Sequence, residues 1–385
     1  MTDIRRPRIL CVSFSDIRSD ARVLRQLDVL ARHGDVTTLS YGDRPDAAVD
    51  HIEIDRSLPS LPQTIPGVLK LALRRYRSVA MDAPAVRAAR LALQGRSFDI
   101  VVANEARALP LASLVQGSPR VWCDLHEWAP AERSHVLSWR LLIAPFMDWV
   151  CREYLPGIAA STTVNESIAD LYADRFGVRP EVVRNAIAYR ADLSPSPLAD
   201  DRIRLVHSGG AVPGRNIEAI IDAVDRLGDG YTLDLFLIPS RHADQYWRSL
   251  TERIASSPRT TLHAAVAPEE LPQTLNPFDL GVYLLPPHTP NHRLMLPNKF
   301  FDFVQARLGF VFGPSVETDR LITTHGLGVI TDGYAPEDLV RAIRGLSRAE
   351  IRGFKARTDA AAEALSSSTD VATEEALLVR LLEAR

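Results

Sequence analysis

The feature that most constrains this chain is a repeated alternation of short apolar runs with longer segments of helical periodicity. The alternation starts at Ile9, stops in the polar, proline-punctuated stretch 191–201, and begins again at Arg204. Strands that alternate with helices predict a parallel sheet covered by helices on both faces. Two such runs separated by a linker therefore predict two successive doubly wound α/β units.

The spacing of apolar residues predicts the individual elements. Strands are expected at 9–14, 36–40, 52–54, 100–103, 121–124, 158–164 and 182–183, and then at 204–208, 233–238, 261–263, 280–284, 309–312 and 327–330. Helices are expected at 21–33, 68–93, 109–115, 139–154 and 167–176, and then at 217–227, 243–254, 268–274, 298–306 and 336–346. Serine-rich residues 366–369 resemble a hinge before a terminal helix at 371–384.

The length also favours two domains, because 385 residues exceed the size at which one hydrophobic core usually keeps growing. We predict a first Rossmann-like domain at 1–190 and a second at 191–365. Residues 366–385 are predicted to form a helix that packs back on the first domain.

Charge and cysteine usage exclude several classes of protein. Lysine and arginine number 45 against 48 acidic residues, so the net charge of -3 offers no basic stripe for nucleic acid. Cys11, Cys123 and Cys151 form no Cys-x-x-Cys pair, and an odd count of cysteines in apolar runs favours buried thiols in a reducing compartment. No apolar run is long enough to span a bilayer, and no secretory segment precedes the first strand. We therefore expect a cytoplasmic protein.

Residues 206–218 predict a strand, a glycine-rich turn and the start of a helix. Gly209 and Gly210 would let the backbone approach a phosphate, and free N–H groups at the helix start favour an anion. Arg215 would add a planar set of donors for phosphate oxygens. The alternative is an ordinary strand–helix turn with a surface arginine.

Residues 296–308 give a sharper signal, because a lysine lies in the first turn of a predicted helix. A cation is unfavourable there unless an anion is shared with the helix end. Lys299 and Asp302 lie three residues apart on one face, which suits an ammonium on a diphosphate and a carboxylate on a ribose diol. Asn298 precedes them at the helix opening. The alternative is a simple salt bridge between Lys299 and Asp302.

These residues resemble the donor-binding helix of retaining GT-B glycosyltransferases of the family 4 type. The resemblance is carried by LPNKFFDFVQARLGFVFGPS (296–315), DARVLRQLDVLARHGDVTTLS (20–40), VWCDLHEWAPAE (121–132) and STTVNESIADLYADRFGVRPEVVRNA (161–186). It implies two Rossmann-like domains facing a central cleft and a ribose-binding role for Asp302. It also implies transfer of a sugar, with retention, from a nucleoside-diphosphate sugar to a hydroxyl of a glycan, lipid-linked or small-molecule acceptor, as in polysaccharide biosynthesis.

The resemblance gives His126 a catalytic role beside the donor sugar, and it places the acceptor in the domain 1–190 and the nucleotide sugar in the domain 191–365. The catalytic roles of Arg215 and Lys299 at the diphosphate follow from the glycine turn and the helix opening described above. Asp16, Arg22 and Glu127 follow predicted strands and are candidate acceptor contacts. Two alternatives remain open at this stage. Residues 124–127 could form only a hydrogen-bonded loop network. Asp20, two residues before Arg22, could serve only as a helix N-cap.

The chain departs from the family pattern at Leu294, where members often carry the first glutamate of a Glu-x7-Glu pair. Polar groups of 291–293 are candidate substitutes. The sequence contains no Asp-x-Asp, no Walker loop and no Gly-x-Gly-x-x-Gly after the first strand, so we expect neither a metal nor a cofactor. The alternatives to a transferase are a nucleotide-sugar epimerase of the same fold and a catalytically silent partner protein.

The segment 70–77 is basic and amphipathic. A solvated helix face is the interpretation that the sequence favours, and the alternative is peripheral contact with anionic lipid at the inner face of the membrane.

Overall fold

A computed structural model describes residues 5–62, 64–240 and 243–383. The predicted end of the last helix at Ala384 therefore lies outside the described residues. The chain divides into two compact units, one comprising Met1–Arg184 with Asp370–Arg385 and the other comprising Asn185–Thr369.

The first unit is built on a seven-stranded parallel sheet with the order β3-β2-β1-β4-β5-β6-β7. Its strands are β1 (Arg8–Asp16), β2 (Asp35–Tyr41), β3 (Asp50–Ile54), β4 (Ile100–Asn104), β5 (Arg120–Leu125), β6 (Ala160–Thr163) and β7 (Glu181–Val182). Its helices are α1 (Ala21–His33), α2 (Ile65–Ala72), α3 (Tyr76–Asp82), α4 (Pro84–Ala92), α5 (Leu109–Ala112), α6 (Ala144–Tyr154) and α7 (Glu166–Phe176).

The second unit repeats the design with a six-stranded parallel sheet in the order β10-β9-β8-β11-β12-β13. The strands are β8 (Ile203–Ala211), β9 (Tyr231–Pro239), β10 (Thr260–His263), β11 (Leu280–Tyr283), β12 (Gly309–Phe312) and β13 (Gly328–Ile330). The helices are α8 (Ile217–Leu227), α9 (Asp244–Ala255), α10 (Leu271–Leu275), α11 (Pro290–Leu294), α12 (Asn298–Gln305), α13 (Val316–His325), α14 (Pro336–Arg344) and α15 (Arg348–Ala361), and α16 (Ser367–Glu383) follows them.

Apolar strands buried on both faces hold each unit together. In the first, Ile9 and Trp122 share a core with Leu377, Leu378 and Leu381 of α16. α1 begins where predicted because the Asp20 side chain accepts hydrogen bonds from the first-turn N–H groups of Arg22 and Val23. Each sheet reverses its strand order once, at β1/β4 and at β8/β11, and ligands of such sheets bind beyond the carboxyl ends of the strands there.

Several predicted elements are corrected by the structure. The helix expected at 68–93 is three helices, because the backbone of Arg74 turns to a positive φ of 53° and Pro84 starts a new helix. The strand expected at 158–164 is confined to Ala160–Thr163. The expected hinge at 366–369 is wrong, since residues from Ser367 onward are already helical. Helices α11, α13 and α15 were not predicted.

Candidate functional site

The carboxyl end of β8 brings backbone and cation together at the switch point of the second sheet. Gly209 has a φ of +130°, a conformation that side chains rarely permit. A Cβ atom added at Gly209 would overlap Nζ of Lys299, so the lysine lies directly against the glycine backbone. Gly210 also belongs to the end of β8, Arg215 lies in the turn that follows the strand, and the helix α8 then begins at Ile217.

Helix α12 positions that lysine by close packing on the sheet. Phe303 lies so near the α-carbon of Gly281 in β11 that any side chain at 281 would overlap the phenyl ring. Lys299, in the first turn of α12, is consequently only 9% exposed, and its Nζ lies 5.9 Å from the centre of the Tyr283 ring. Burial and the nearby Arg215 lower the pKa of Lys299 to about 8, although Asp302 opposes the shift.

In the part of the chain that the structure describes, the two cations have no anionic partner of their own. Within residues 5–62, 64–240 and 243–383, neither the Arg215 guanidinium nor the Lys299 ammonium forms a salt bridge or a side-chain hydrogen bond. The alternative of a simple Lys299–Asp302 salt bridge is therefore not found among these residues. Burial raises the pKa of Asp302 to about 6, and Lys299 only partly offsets this. Two cations and a carboxylate thus converge with their charged groups uncommitted.

Three neutral polar side chains, which the sequence did not reveal, lie beneath these charges. His207 Nε2, Ser208 Oγ and Tyr283 Oη are buried without a hydrogen-bond partner among the described residues. His207 Nδ1 lies 2.9 Å from the Val282 carbonyl, and burial together with Lys299 lowers the pKa of His207 to about 3. The imidazole is therefore neutral, and its ring stacks on Tyr283. Buried polar atoms without partners are unusual in proteins, and a bound ligand or an ordered water can supply the missing partner.

The remaining residues predicted for this unit lie around the same turn and helix. Asn298 is exposed at the start of α12. Leu294 is the last residue of α11, and that helix is capped by Thr289, whose hydroxyl accepts from the His292 N–H. Asn291, the first candidate substitute for the missing glutamate, is buried.

The first unit carries a different cluster at the end of β5. Arg22 donates two 2.7 Å hydrogen bonds to Asp124 and a third to the Val183 carbonyl, and Thr162 donates to Asp124 as well. His126 Nε2 lies 3.2 Å from the same carboxylate. Burial lowers the pKa of His126, but Asp124 outweighs it and leaves that pKa raised. Burial disfavours the charged Asp124, yet Arg22 and His126 hold its pKa below the usual range.

Glu105 also belongs to this cluster, although no sequence pattern predicted it as a site residue. It follows β4 with a φ of 68°, which is strained for a residue other than glycine, and its N–H donates to the Asp124 carbonyl at 2.7 Å. Its carboxylate lies 2.6 Å from Arg107 Nε and 3.9 Å from His126 Nδ1. Strain of this kind is typical of functional sites. A pocket next to His126 is lined by Glu105, Arg107, Glu127 and Glu132.

The other predicted acceptor contacts have differing surroundings. Arg22 is 3% exposed and its donors are committed to Asp124 and Val183, so it holds the network instead of reaching an acceptor. Asp16 pairs with Arg56 at 2.5 Å near the end of β1. The backbone carbonyl of Glu127 accepts a hydrogen bond from Tyr172. The described residues contain no group of three or more His, Cys, Asp or Glu side chains suited to a metal ion.

Two parallel doubly wound units joined in this order form the architecture called GT-B. Solved structures match it over nearly the whole chain. HepE from Anabaena in complex with UDP-glucose matches with a TM-score of 0.68 at 13% identity, covering 97% of this chain and 100% of its own. Sucrose-phosphate synthase from Thermosynechococcus elongatus gives 0.71 at 12% identity, with 99% and 100% covered.

A third match is WaaG, a glycosyltransferase involved in lipopolysaccharide biosynthesis, with a TM-score of 0.64 at 11% identity and coverage of 95% and 98%. No family model and no curated protein sequence matches the chain. The likeness to solved structures concerns the fold, and it confirms the predicted α/β GT-B class.

Proposed function

We propose that this chain is a glycosyltransferase that moves a sugar from a nucleoside-diphosphate donor to an acceptor hydroxyl. The observation that carries the proposal is a pair of cations without an anionic partner among the described residues: Lys299, which lies against the Gly209 backbone, and Arg215, which is near enough to lower the pKa of Lys299. A diphosphate supplies the charge that these groups lack. HepE, which has the same fold, has been solved with UDP and with UDP-glucose.

The chemistry follows from where charge develops. When the bond between the anomeric carbon and the diphosphate oxygen breaks, the leaving diphosphate gains negative charge. Arg215 and Lys299, fixed in advance by the glycine turn and by α12, stabilise that charge most strongly at the transition state. The carboxylate of Asp302 accepts hydrogen bonds from the ribose hydroxyls. The exposed amide of Asn298 and the backbone of Gly210 complete the donor contacts.

Retention of configuration and a role in polysaccharide biosynthesis rest on the resemblance of residues 296–315 to family 4 enzymes. Independence from metal rests on the missing Asp-x-Asp motif, and a cytoplasmic location rests on the cysteine usage and the lack of a long apolar run. We assign His126 as the catalytic residue of the first unit, held by Asp124, while Glu127 and Asp16 contact the acceptor. Arg22 is a positioning residue, because it acts through Asp124. Replacing His126 with alanine should preserve nucleotide binding and reduce transfer.

Binding of nucleotides tests the proposal directly. UDP-, GDP-, dTDP- and ADP-sugars are screened by thermal unfolding, where a ligand at 100 times its Kd stabilises the fold by about 2.7 kcal/mol. Lys299→Met and Arg215→Gln should abolish the stabilisation. Arg226→Gln is the matched control, because Arg226 lies in the last turn of α8, at the end away from Arg215.

The outcomes separate the candidate functions. Stabilisation of the wild type and the control, but of neither variant, supports the donor site. Absence of any shift, or equal shifts in all four proteins, would rule it out. Conversion of the donor sugar without an acceptor would identify an epimerase, and binding without turnover on any acceptor would identify a silent partner.

A further inference from the structure

Half of the exposed large apolar side chains in the described chain lie in two short segments of the first unit. We call this set the apolar patch, and it consists of Ile65, Val68, Leu69, Leu73, Val136, Leu137 and Leu141. The two segments adjoin, because α2 contacts the π-helical turn Trp139–Ile143. Concentrated apolar exposure of this kind marks an interaction surface.

The orientation of α2 makes the exposure systematic. Ile65, Leu69 and Leu73 are spaced by four residues and so lie on one side of the helix, while Gly67 and Leu71 are buried on the other. Leu69 and Leu73 are 59% and 67% exposed. An amphipathic helix of a globular protein normally turns its larger apolar stripe to the core, whereas α2 turns these leucines outward.

The charged residues within the segments that carry the patch are of one sign. Residues 64–81 and 133–147 contain no aspartate or glutamate, although the whole chain has a net charge of -3. Arg74, Arg75 and Arg140 are exposed, and no salt bridge involves them within the part of the chain that the structure describes. They form what we call the arginine rim.

The rim continues into an open groove with aromatic walls. Arg74 and Arg140 line it together with Tyr76, Trp149 and Arg152. Arg152 is the one of these arginines that an acid neutralises, through Asp148 at 3.2 Å. Tryptophan and tyrosine favour the boundary between water and apolar phases, and arginine binds phosphate through paired donors.

We propose that the apolar patch and the arginine rim dock this chain on a bilayer of anionic phospholipid. The leucines and isoleucine enter the boundary between headgroups and acyl chains, and the arginines bind the headgroup phosphates. Charge complementarity favours this partner over a second copy of the chain, because two identical basic rims repel one another. The inference goes beyond sugar transfer and replaces the solvated face that the sequence favoured for 70–77.

Vesicle sedimentation with the full chain tests the proposal. The wild type should bind phosphatidylcholine vesicles that contain phosphatidylglycerol, bind pure phosphatidylcholine weakly, and release as salt concentration rises. The double variants Leu69→Gln/Leu73→Gln and Arg74→Gln/Arg75→Gln should each weaken binding about tenfold or more. Ile238→Gln/Val316→Gln is the control, because these residues are comparably exposed in the second unit.

The result that overturns the proposal is equally definite. Equal binding to both vesicle types, or binding by the Leu69/Leu73 variant that matches the wild type, would exclude docking through this surface. Size-exclusion chromatography that showed a dimer dissociated by the same variant would also exclude it, in favour of self-association. All the substituted side chains are exposed, so thermal unfolding and nucleotide binding should be unchanged and the test is independent of the donor site.

Discussion

The two units use charge in opposite ways at the carboxyl ends of the strands in their sheets. In the first, Arg22, Asp124 and His126 contact one another and the backbone. In the second, Arg215 and Lys299 find no anion in the described residues. The pKa values of the two buried carboxylates shift in opposite directions. Its cationic partners lower the pKa of Asp124, whereas burial raises the pKa of Asp302 to about 6. Paired charges build a scaffold, and unpaired charges define where a ligand binds.

The largest expected effect comes from breaking the scaffold. Arg22→Met should lower the free energy of unfolding by about 3–5 kcal/mol, because it leaves the buried carboxylate of Asp124 without its main partner. The control is Arg18→Met, which breaks an exposed pair with Asp43 and should cost at most about 1 kcal/mol. Urea unfolding measures both. A cost for Arg22→Met no greater than that of the control would show that the pair is not a scaffold.

The second test removes an unpaired cation and should spare the fold. Lys299→Ala should reduce turnover by at least about tenfold, and by analogy with oxyanion donors by about 10² to 10³. The free energy of unfolding should change little, since Lys299 forms no salt bridge or side-chain hydrogen bond among the described residues. Steady-state kinetics and urea unfolding distinguish the two effects. Wild-type turnover, or a loss of stability like that of Arg22→Met, would remove the contrast between the units.

The third test uses the proton on Lys299. Because its pKa in the free protein is about 8, the affinity for a nucleotide sugar should be nearly constant between about pH 7 and 8, where Asp302 is already ionised, and fall above it. The decline approaches about tenfold per pH unit, because binding must then add a proton. Lys299→Arg keeps its charge and should bind without this decline. Calorimetric titration between pH 7 and 9 measures the affinity of the wild type and of Lys299→Arg. Identical pH profiles for these two proteins would contradict the prediction.

The smallest effect concerns stability near pH 5. Asp302 has a folded pKa of about 6 and an unfolded pKa near 3.8, so the folded state holds the extra proton between these values. The stability of the wild type relative to Asp302→Asn should therefore fall as pH rises from about 4 to 6. Asp124 has the opposite sign, and its contribution is lost as pH falls below 3.8. A relative stability that rises from pH 4 to 6 would mean that Asp302 is paired.

Elements with a strong local signal were predictable from the sequence. α1 was expected at 21–33 and spans those residues, because the Asp20 cap and an apolar stripe specify it locally. The helix expected at 68–93 failed because a proline and a residue with positive φ interrupt an otherwise continuous pattern.

The candidate site divides in the same way. The spacing of Lys299 and Asp302 and the glycines of the turn are local, so their neighbourhood was expected. Glu105 was missed because its significance lies in a strained backbone angle and in the approach of β5, neither of which leaves a sequence pattern. His207 and Tyr283 were missed because an unpartnered buried atom is a property of the packed structure.

On the proposed function, the close approach of Phe303 to the α-carbon of Gly281 would make donor affinity depend on a position that no substrate touches. A methyl group at 281 would lift α12 from the sheet and carry its ammonium and carboxylate away from the turn together. A bulkier leaving group could therefore be accommodated by changing residues behind the site. A larger residue at 281 would be combined with a smaller residue at 303. Selection for the proposed catalysis would therefore act on interior residues such as Gly281 and Phe303 as well as on residues at the edge of the sheet.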